Sequence, residues 1–429
     1  MGIKRALFAV LFFSLAFSLA AHAADDLVIH GLISQGYLKS SDNHYLALSE
    51  DGSTEFNEFI INFQKQMDDR LRLGLQLISR DLGKEGNNEV KVDWAYGDYR
   101  LNENFGLRFG RVKVPFGFYN QYRDIDMLRT PVLLPGTIYM EDYRTFLTAF
   151  TGGSIYGTIP FERSSFDLEF AFGEADIDAD AGVVKDTFIL LNNAFEGGLT
   201  SALPAALQAA GVKYAHSGDP TRETSSKPSY SAKLIWNTAI EGLRIGGTRT
   251  NVDTRMKETL VFQPLIVPMP ALTTITPGFS TVVDLKYRFL VDIGSLEYTK
   301  NKFTFSAEYM AAHGKQEFTF TSTAVAPLRK AEAARTAIGS YYQLVYRHND
   351  KNEWSIYRGE LFSDKNNKIP TEFHKDTCLS YRHNITRDWS VKLEYHWVDG
   401  TGQIQQNLNM GKTLDRKWNL LAFKTTYNF

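Results

Sequence analysis

The sequence lacks several features on which other classes of protein depend. Cys378 is the only cysteine in 429 residues, so no intramolecular disulfide can form and the fold must be stabilised in another way. Beyond the N-terminal region, no apolar run approaches the roughly 20 residues of a membrane-spanning helix. The net charge of -2 argues against nucleic-acid binding, which usually requires a basic face. These absences exclude a disulfide framework and argue against a helical membrane protein and a nucleic-acid-binding protein.

The N-terminal residues have the pattern of an export signal. Lys4 and Arg5 give a positive start, residues 6–20 form a short apolar core, and Ala21-His22-Ala23 is a small-x-small cleavage site. A membrane anchor is the alternative, but the apolar run is too short and polar sequence follows at once. We therefore expect a signal peptide over residues 1–23 and one exported domain over residues 24–429.

The exported part alternates apolar and polar residues with a period of two, which predicts β-strands. In residues 71–77, four leucines share one face, while Arg72 and Gln76 lie on the other. Residues 166–172 and 391–397 repeat the pattern. A soluble sandwich would bury the apolar face, but here the pattern recurs from end to end and no segment is left to cover it. A barrel with lipid outside and water inside accounts for both faces.

Short polar turns alternate with long polar stretches, and this alternation sets the number of strands. Seven short turns each join two strands in a hairpin, and one further strand at each end brings the total to about sixteen. The predicted fold is all-β: a transmembrane antiparallel β-barrel of about 16 strands with short periplasmic turns and long extracellular loops. The turns lie at residues 66–70, 102–104, 160–164, 237–242, 299–302, 348–353 and 384–388, and the terminal strands at residues 27–38 and 417–429.

Three of the long stretches carry specific predictions. In the fourth, residues 173–228, the Ala-rich segment 201–210 predicts a short helix. The fifth, residues 251–280, is rich in Pro and Thr and predicts an irregular loop. The third, residues 114–143, mixes charged and apolar residues, which a solvated loop tip does not need. We therefore expect the third loop to fold into the pore and narrow it; packing on neighbouring extracellular loops is the alternative.

Charged residues near the third loop are the candidates for the pore constriction. Strict alternation places Arg111 and Lys113 in lipid, at roughly 2–4 kcal/mol for each charge at the midplane. We therefore predict a bulge at Gly110 that turns both inward and turns Val112 and Val114 outward. The candidate constriction and selectivity residues are Arg72, Arg108, Arg111, Lys113, Arg123, Asp124, Asp126 and Arg129. Alternation adds Lys91, Asp93, Asp167, Glu169, Lys233, Arg244, Asp284, Lys286, Arg288, Glu308, Lys392 and Glu394 as further lumen residues.

Signals of catalysis are weak. The histidines are dispersed, and the sequence has neither HExxH nor a Cys/His metal spacing, nor a G-x-S-x-G nucleophile elbow. We expect no enzyme activity, no metal and no cofactor. The predicted function is a water-filled channel for passive diffusion of small hydrophilic solutes with a mild preference for anions, because the lumen charges are mixed with a modest basic excess. The alternative is an outer-membrane enzyme, such as a lipid hydrolase, on a barrel scaffold.

Residues 55–134 also resemble a known family. The runs Phe56-Asn57-Glu58-Phe59 and Gly110-Arg111-Val112-Lys113-Val114-Pro115-Phe116-Gly117 look like Gram-negative outer-membrane porins of the phosphate-selective O/P type. The resemblance implies a sixteen-stranded, trimeric channel with its third loop inside. It also implies a set of lumen Arg and Lys residues for phosphate, and alternation does not place such a set here.

The expected partners and girdle follow from this interpretation. Tryptophans beside the short turns and near the opposite strand ends predict two interfacial girdles: Trp236, Trp354 and Trp389 for the first, and Trp397 and Trp418 for the second. Phe429 closes an alternating strand and resembles the signal that outer-membrane proteins present to the barrel-assembly machinery. We expect location in the cell outer membrane, contact with its lipid and lipopolysaccharide, a homotrimer, and no nucleic acid.

Overall fold

The computed structural model describes residues 27–83, 85–268, 272–323 and 329–429, so the predicted signal peptide lies outside the described residues. The chain is a closed antiparallel β-barrel of sixteen strands, as predicted. Two segments, β8 and β9, make one of these strands because both pair with β10, and β11 and β12 form a separate hairpin in a loop. The strands are β1 (Leu27–Ser40), β2 (Phe56–Gln66), β3 (Leu71–Leu82), β4 (Val90–Arg100), β5 (Phe105–Lys113), β6 (Ala149–Pro160), β7 (Ser165–Ala175), β8 (Thr221–Ser226), β9 (Ser229–Asn237), β10 (Leu243–Phe262), β11 (Leu265–Pro268), β12 (Leu272–Thr276), β13 (Phe279–Lys300), β14 (Phe303–Ser322), β15 (Arg329–Asn349), β16 (Asn352–Phe362), β17 (Phe373–Asn384), β18 (Trp389–Asp399) and β19 (Lys417–Asn428).

The barrel closes between its first and last strands. β1 pairs with β2 on one side and with β19 on the other. The backbone N–H of Phe429 donates to the carbonyl of Gly31 over 3.0 Å, and Gly31 returns the bond over 2.9 Å. The seven predicted short turns each separate two of these paired strands, so the hairpin prediction is confirmed.

Helices occur only in loops within the described part of the chain. They are α1 (Arg144–Leu147), α2 (Gly182–Ser201) and α3 (Ala205–Ala209), with short 3-10 turns at Asn120–Tyr122, Asp126–Leu128, Pro370–Glu372 and Gln406–Leu408. None of the described helices is long and apolar enough to cross a membrane. The helix predicted over residues 201–210 therefore exists as α3, whereas the longer α2 was not predicted.

Four strands extend well beyond the roughly 9–11 residues that a strand needs to cross a bilayer. β10, β13, β14 and β15 have 20, 22, 20 and 21 residues. Much of the fifth stretch, predicted as irregular loop, is consequently strand: β10 and β13 pair up to Phe262 and Phe279. The Thr and Val residues in this region suit a pleated surface, and that preference outweighs the loop signal.

The two faces of the wall differ as predicted along most strands. Leu73 is 44% exposed and points outward, whereas Gln76, three residues further along the same strand, is 6% exposed and points inward. Trp236, Trp354, Trp389 and Trp397 are also exposed. Trp418 is the exception, because its indole is buried inside, donates to the Gly400 carbonyl and packs on Tyr45; its assignment to a girdle was wrong.

The upper part of β13 has the opposite polarity. Its inward residues, including Leu285 and Phe289, are apolar and join a cluster with Phe146 of α1 and Phe188 of α2. Asp284, Lys286 and Arg288 consequently point outward and are not lumen residues. Asp284 pairs with Arg255 and Arg288 pairs with Asp253, both on the outer face of β10. The prediction from the alternation of polar and apolar residues failed here because two loop helices, rather than water, occupy the lumen beside these strands.

Candidate functional site

The third loop, residues 114–148 between β5 and β6 and called L3 below, lies inside the barrel. Tyr139 donates its hydroxyl proton to Glu308 of β14 over 2.5 Å. The Val132 N–H donates to Glu394 of β18 over 2.6 Å. The Thr137 hydroxyl donates to the Ser340 carbonyl of β15 over 3.0 Å. These partners face inward on the side of the barrel opposite β5, so L3 crosses the lumen. L3 also packs on the loop between β18 and β19, where Gln403 donates to the Gly136 carbonyl over 2.6 Å.

Asp126 is the most heavily bonded acid of L3. Its carboxylate lies 2.7 Å from Lys424 of β19 and 2.7 Å from Arg129. Thr426 donates to it over 2.7 Å, and the Lys392 ammonium lies 3.8 Å away. Burial alone would raise the pKa of Asp126, but Lys424 and the other cations hold the pKa well below its ordinary value. The carboxylate is therefore charged and fixes L3 to the wall.

A second buried network fixes the start of L3. Lys113 bridges Asp124 at 2.6 Å and Asp93 at 3.3 Å. Arg123 pairs with Glu141 within the loop at 2.8 Å. Burial opposes ionisation of Asp124, yet the charges of the Arg144 guanidinium and Lys113 lower its pKa far below the usual range. These charged groups neutralise one another within the barrel interior.

The predicted bulge at Gly110 is absent from the pairing between β4, β5 and β6. The ladder runs without a shift from Phe105 to Lys113 against β6. Gly110 instead has a φ of 130°, and a Cβ there would meet the Ala95 carbonyl oxygen at 2.3 Å. Val112, predicted to face lipid, is 1% exposed and joins the inner apolar cluster, as does Val114. An inner apolar cluster, which includes L3 residues and Phe188 of α2, replaces lipid as the environment of the valines.

Charged side chains also line the lumen close to the short turns, in a band that we call the lumen arc. Arg72 pairs with Asp98 at 2.8 Å, and Arg108 pairs with Glu169 at 3.1 Å while its guanidinium stacks 4.0 Å above the Tyr156 ring. The arc consists of four basic residues, Arg72, Arg108, Lys233 and Arg244, and three acidic residues, Asp98, Glu169 and Glu297.

L3 contacts the arc directly. Gln121 donates its amide N–H to Glu169 over 2.8 Å and accepts from the Lys233 ammonium. Tyr119 donates to Glu297, which pairs with Arg244 at 2.9 Å. The arc and L3 therefore form one polar surface across the lumen.

The eight predicted constriction residues fall into separate groups. Arg72 and Arg108 belong to the lumen arc. Arg111 binds the Asp93 carbonyl and pairs with Asp176 at 3.1 Å. The other five, Lys113, Arg123, Asp124, Asp126 and Arg129, lie in the buried networks that fix L3. Lys233 and Arg244 were placed in the lumen by alternation but not among the constriction residues, and Asp98 and Glu297 were missed although each lies at an inward position of its strand.

Comparison with known proteins identifies the fold. No protein-family model and no curated protein match the chain. The OmpF protein of Salmonella typhi, solved in complex with daunomycin, aligns with 94% of this chain and 97% of its own at 10% identity and a TM-score of 0.54. The outer membrane channel DcaP of Acinetobacter baumannii aligns with 95% and 99% of the two chains at 9% identity and a TM-score of 0.51. The fold is that of an outer-membrane porin. At these identities the likeness to solved porins is one of fold, and the resemblance to the phosphate-selective type stays a prediction.

Proposed function

We propose that this porin-fold protein forms a water-filled channel in the outer membrane for small hydrophilic solutes. The observation that carries the proposal is the contrast between adjacent residues of β3. Arg72 points into the barrel with 44% of its side chain exposed, while Leu73 points outward with 44% exposure. An exposed charge inside and an exposed leucine outside fit water in the lumen and lipid around the wall.

The lumen arc supports a mild preference for anions. Its four basic side chains exceed its three acidic ones by one, and basic rings favour anions. Asp167, nearer the short turn on the same face of β7, is hydrogen-bonded by Thr158 and Asn237 and keeps this preference small. The alternating signs along the arc favour weak selectivity over a phosphate-specific site. The same arrangement supports a channel rather than the alternative of a lipid hydrolase, which would need a nucleophile open to lipid.

L3 is proposed as the constriction, with the buried networks as its anchors rather than its filter. Asp126, Asp124 and Lys113 are each neutralised by direct partners. Selectivity then belongs to the less buried cations, chiefly Arg72 and Arg244, and the contribution of Lys113 is to hold the loop.

A homotrimer is proposed on the outer face of β9, β10, β13 and β14. Arg249 and Asp292 form a two-bond ion pair there, at 2.6 and 2.9 Å. The pair lies one outward position beyond Leu234 and Tyr309, which are exposed and apolar. A charge facing lipid costs roughly 2–4 kcal/mol at the midplane. A second subunit packed over the ion pair would remove this free-energy cost.

The shape of this face supports contact with another chain. The ion pair lines an open groove of about 490 Å³, whose other lining residues include Ala232, Leu234, Ala311 and Tyr309. Gly247 and Gly294 leave open space at the groove floor. Contact with lipopolysaccharide and recognition of Phe429 by the assembly machinery are proposed for the exposed rim and the terminal strand.

Reconstitution tests the channel directly. Purified protein added to a planar lipid bilayer is expected to give discrete conductance steps, and a salt gradient is expected to give a small reversal potential of the sign for anions. Repeated insertion without conductance steps contradicts the proposal. Lipid turnover that disappears when one lumen serine or histidine is replaced would support the hydrolase instead.

A further inference from the structure

We propose that Cys378, Glu394 and His396 form a zinc-binding site inside the barrel wall. Each residue offers one donor atom, and the thiol sulfur, carboxylate oxygen and imidazole nitrogen all lie within 4.8 Å of one another. Their side chains are buried, and Cys378 and Glu394 are 0% exposed. Zn²⁺ prefers this mixture of sulfur, nitrogen and carboxylate ligands over the oxygen-only sites of Mg²⁺ and Ca²⁺.

Strand pairing places the three donors on rigid backbone. Cys378 of β17 lies directly opposite His396 of β18, and Ser380 lies opposite Glu394. Glu394 and His396 are two residues apart, so they share the inward face of β18. The site therefore needs no loop to fold over it.

The distances suit a metal ion. The Cys378 Sγ lies 3.8 Å from His396 Nε2, which lies 2.7 Å from Glu394 Oε1. Tetrahedral zinc with ordinary bond lengths places sulfur about 3.6 Å from nitrogen, and nitrogen about 3.4 Å from oxygen. The sulfur-to-nitrogen distance already fits, and the His396–Glu394 contact needs to open by roughly 0.7 Å.

Hydrogen bonds around the site leave these donors free to turn to a metal. Glu394 Oε2 accepts from the Val132 N–H at 2.6 Å and from Ser380 at 3.2 Å. Oε1 accepts only a long bond of 3.4 Å from the Leu133 N–H besides its contact with His396, so it can bind an ion while the carboxylate keeps its orientation. Zinc requires the thiolate and the lone pair of His396 Nε2, so binding releases the thiol proton and the Nε2 proton.

The ligand histidine also has the supporting partner that metal sites use. Asp376 Oδ2 lies 2.9 Å from His396 Nδ1, and Tyr357 donates to the same oxygen over 2.6 Å. A carboxylate on the second ring nitrogen fixes the ring and increases its basicity towards a metal. Asp376 thus acts as a positioning residue.

A small cavity with both polar and apolar lining residues adjoins His396 and gives a second indication of a ligand. Its volume is about 20 Å³, and His374, Asp376 and His396 are among its lining residues, which is enough for one water molecule. Asp376 Oδ1 and His374 Nδ1 are buried without a hydrogen-bond partner in the described part of the chain. Buried polar atoms of this kind ordinarily have a partner, and a water molecule in this cavity would supply one.

A nucleophilic Cys-His-Asp site is the competing interpretation of the same residues. His396 Nε2 is directed to Glu394 at 2.7 Å rather than to the thiol at 3.8 Å. Cys378 is fully buried under L3, whose Val132 binds Glu394. An organic substrate has no access to this sulfur, whereas a single ion is small enough to fit.

Cobalt binding tests the site, because a cobalt–thiolate bond has its own charge-transfer absorption. Folded protein in detergent, washed with a chelator, is expected to bind one Co²⁺ with this absorption and to lose the absorption on adding Zn²⁺. Cys378→Ser and His396→Gln are expected to abolish it. Asp376→Asn is expected to weaken zinc binding about 10–100-fold. His313→Gln, on the outer face of β14, is the matched control and is expected to bind as the wild type does.

The cobalt measurement on wild-type protein decides the proposal by itself, so the test still gives a result if a variant fails to fold. Heat-modifiable gel mobility reports whether each variant retains the barrel. No cobalt–thiolate absorption in folded wild-type protein overturns the zinc site, and so does an unchanged absorption in folded His396→Gln. These readouts do not depend on conductance, so failure of the metal site and failure of the channel are distinguishable.

Discussion

Asp126 of L3 and Lys424 of the last strand are joined by an ion pair of 2.7 Å, although nearly 300 residues separate them in the chain. The pair is buried, and both partners are also bonded to other groups: Arg129 on the acid and Glu58 on the base. A loop that follows β5 is thereby fixed to the strand that closes the barrel.

Replacing Asp126 with Asn is expected to release this part of L3. Removing one partner of a buried ion pair leaves the other charge uncompensated and costs about 3–5 kcal/mol. The free energy of unfolding, from urea titration of protein in lipid vesicles, is expected to fall by this amount, and single-channel conductance is expected to rise and to fluctuate. Asp51→Asn, at an exposed site in the first outer loop, is the control. Equal effects in the two variants would contradict the anchoring role.

Replacing Arg72 with Gln is expected to weaken anion preference. The change removes one of the four basic charges of the lumen arc and leaves Asp98 with Arg108, at 3.6 Å, as its remaining cation. The reversal potential in a salt gradient is expected to move towards that of an unselective pore. Arg416→Gln, which removes an exposed cation paired with Asp399 beyond β18, is expected to leave the reversal potential unchanged. An unchanged reversal potential for Arg72→Gln would show that the lumen arc does not determine selectivity.

The contacts of α2 are expected to weaken as the pH rises. Glu85 accepts the Gly182 N–H at the start of α2, and burial raises the pKa of Glu85 to about 7, above its ordinary 4.5. Burial also raises the pKa of Asp186 to about 6. At a pH between the ordinary and the raised pKa of Glu85, its carboxyl is protonated when α2 is docked and ionised when α2 is undocked. Docking therefore loses stability as the pH rises from about 4.5 to 7.

Hydrogen exchange measures this effect. After correction for intrinsic rates, amides of α2 are expected to be better protected at pH 5 than at pH 8. Glu85→Gln keeps the acceptor for Gly182 and removes the titrating group, so it is expected to show a weaker pH dependence. Protection that increases with pH in the wild type would show that the sign is wrong.

Filling the outer groove is expected to prevent trimer formation without unfolding the barrel. Nothing lies within 4 Å of a Cβ added at Gly294, which faces the open groove, so Gly294→Trp is expected to fit one subunit and to block the partner. Light scattering in detergent is expected to report a folded monomer. Gly197→Trp, at an equally open site on α2, is the control and is expected to remain trimeric. A trimeric Gly294→Trp protein would place the interface elsewhere.

The sequence predicts the features that the membrane itself imposes. Lipid on one side and polar groups on the other force alternation, so the orientation of Leu73 and Phe170 was predictable, and short turns fix strand pairing locally. Outer-face Arg288 was misplaced because the rule assumes water in the whole lumen, whereas α1 and α2 fill part of it. The partner of Asp126 was unpredictable because no local pattern relates L3 to β19.

The cluster of Cys378, Glu394 and His396 was also not predicted, although the sequence contains a signal for it. The turn after β17 fixes the register of β18, from Asn384 opposite Ser390 to Cys378 opposite His396. A search for linear Cys/His spacings does not detect such a pair. Extending each hairpin register outward from its turn would have brought the two residues together.

The most direct test of the channel compares adjacent residues of β3. In a Cys378→Ser background, Arg72→Cys and Leu73→Cys are recorded in planar bilayers while a charged, water-soluble methanethiosulfonate is added. Arg72 faces the lumen and Leu73 faces outward, so the reagent is expected to reduce the conductance of Arg72→Cys channels and to leave Leu73→Cys channels unchanged. Equal responses at the two positions, or a response only at Leu73→Cys, would contradict a water-filled passage through this barrel.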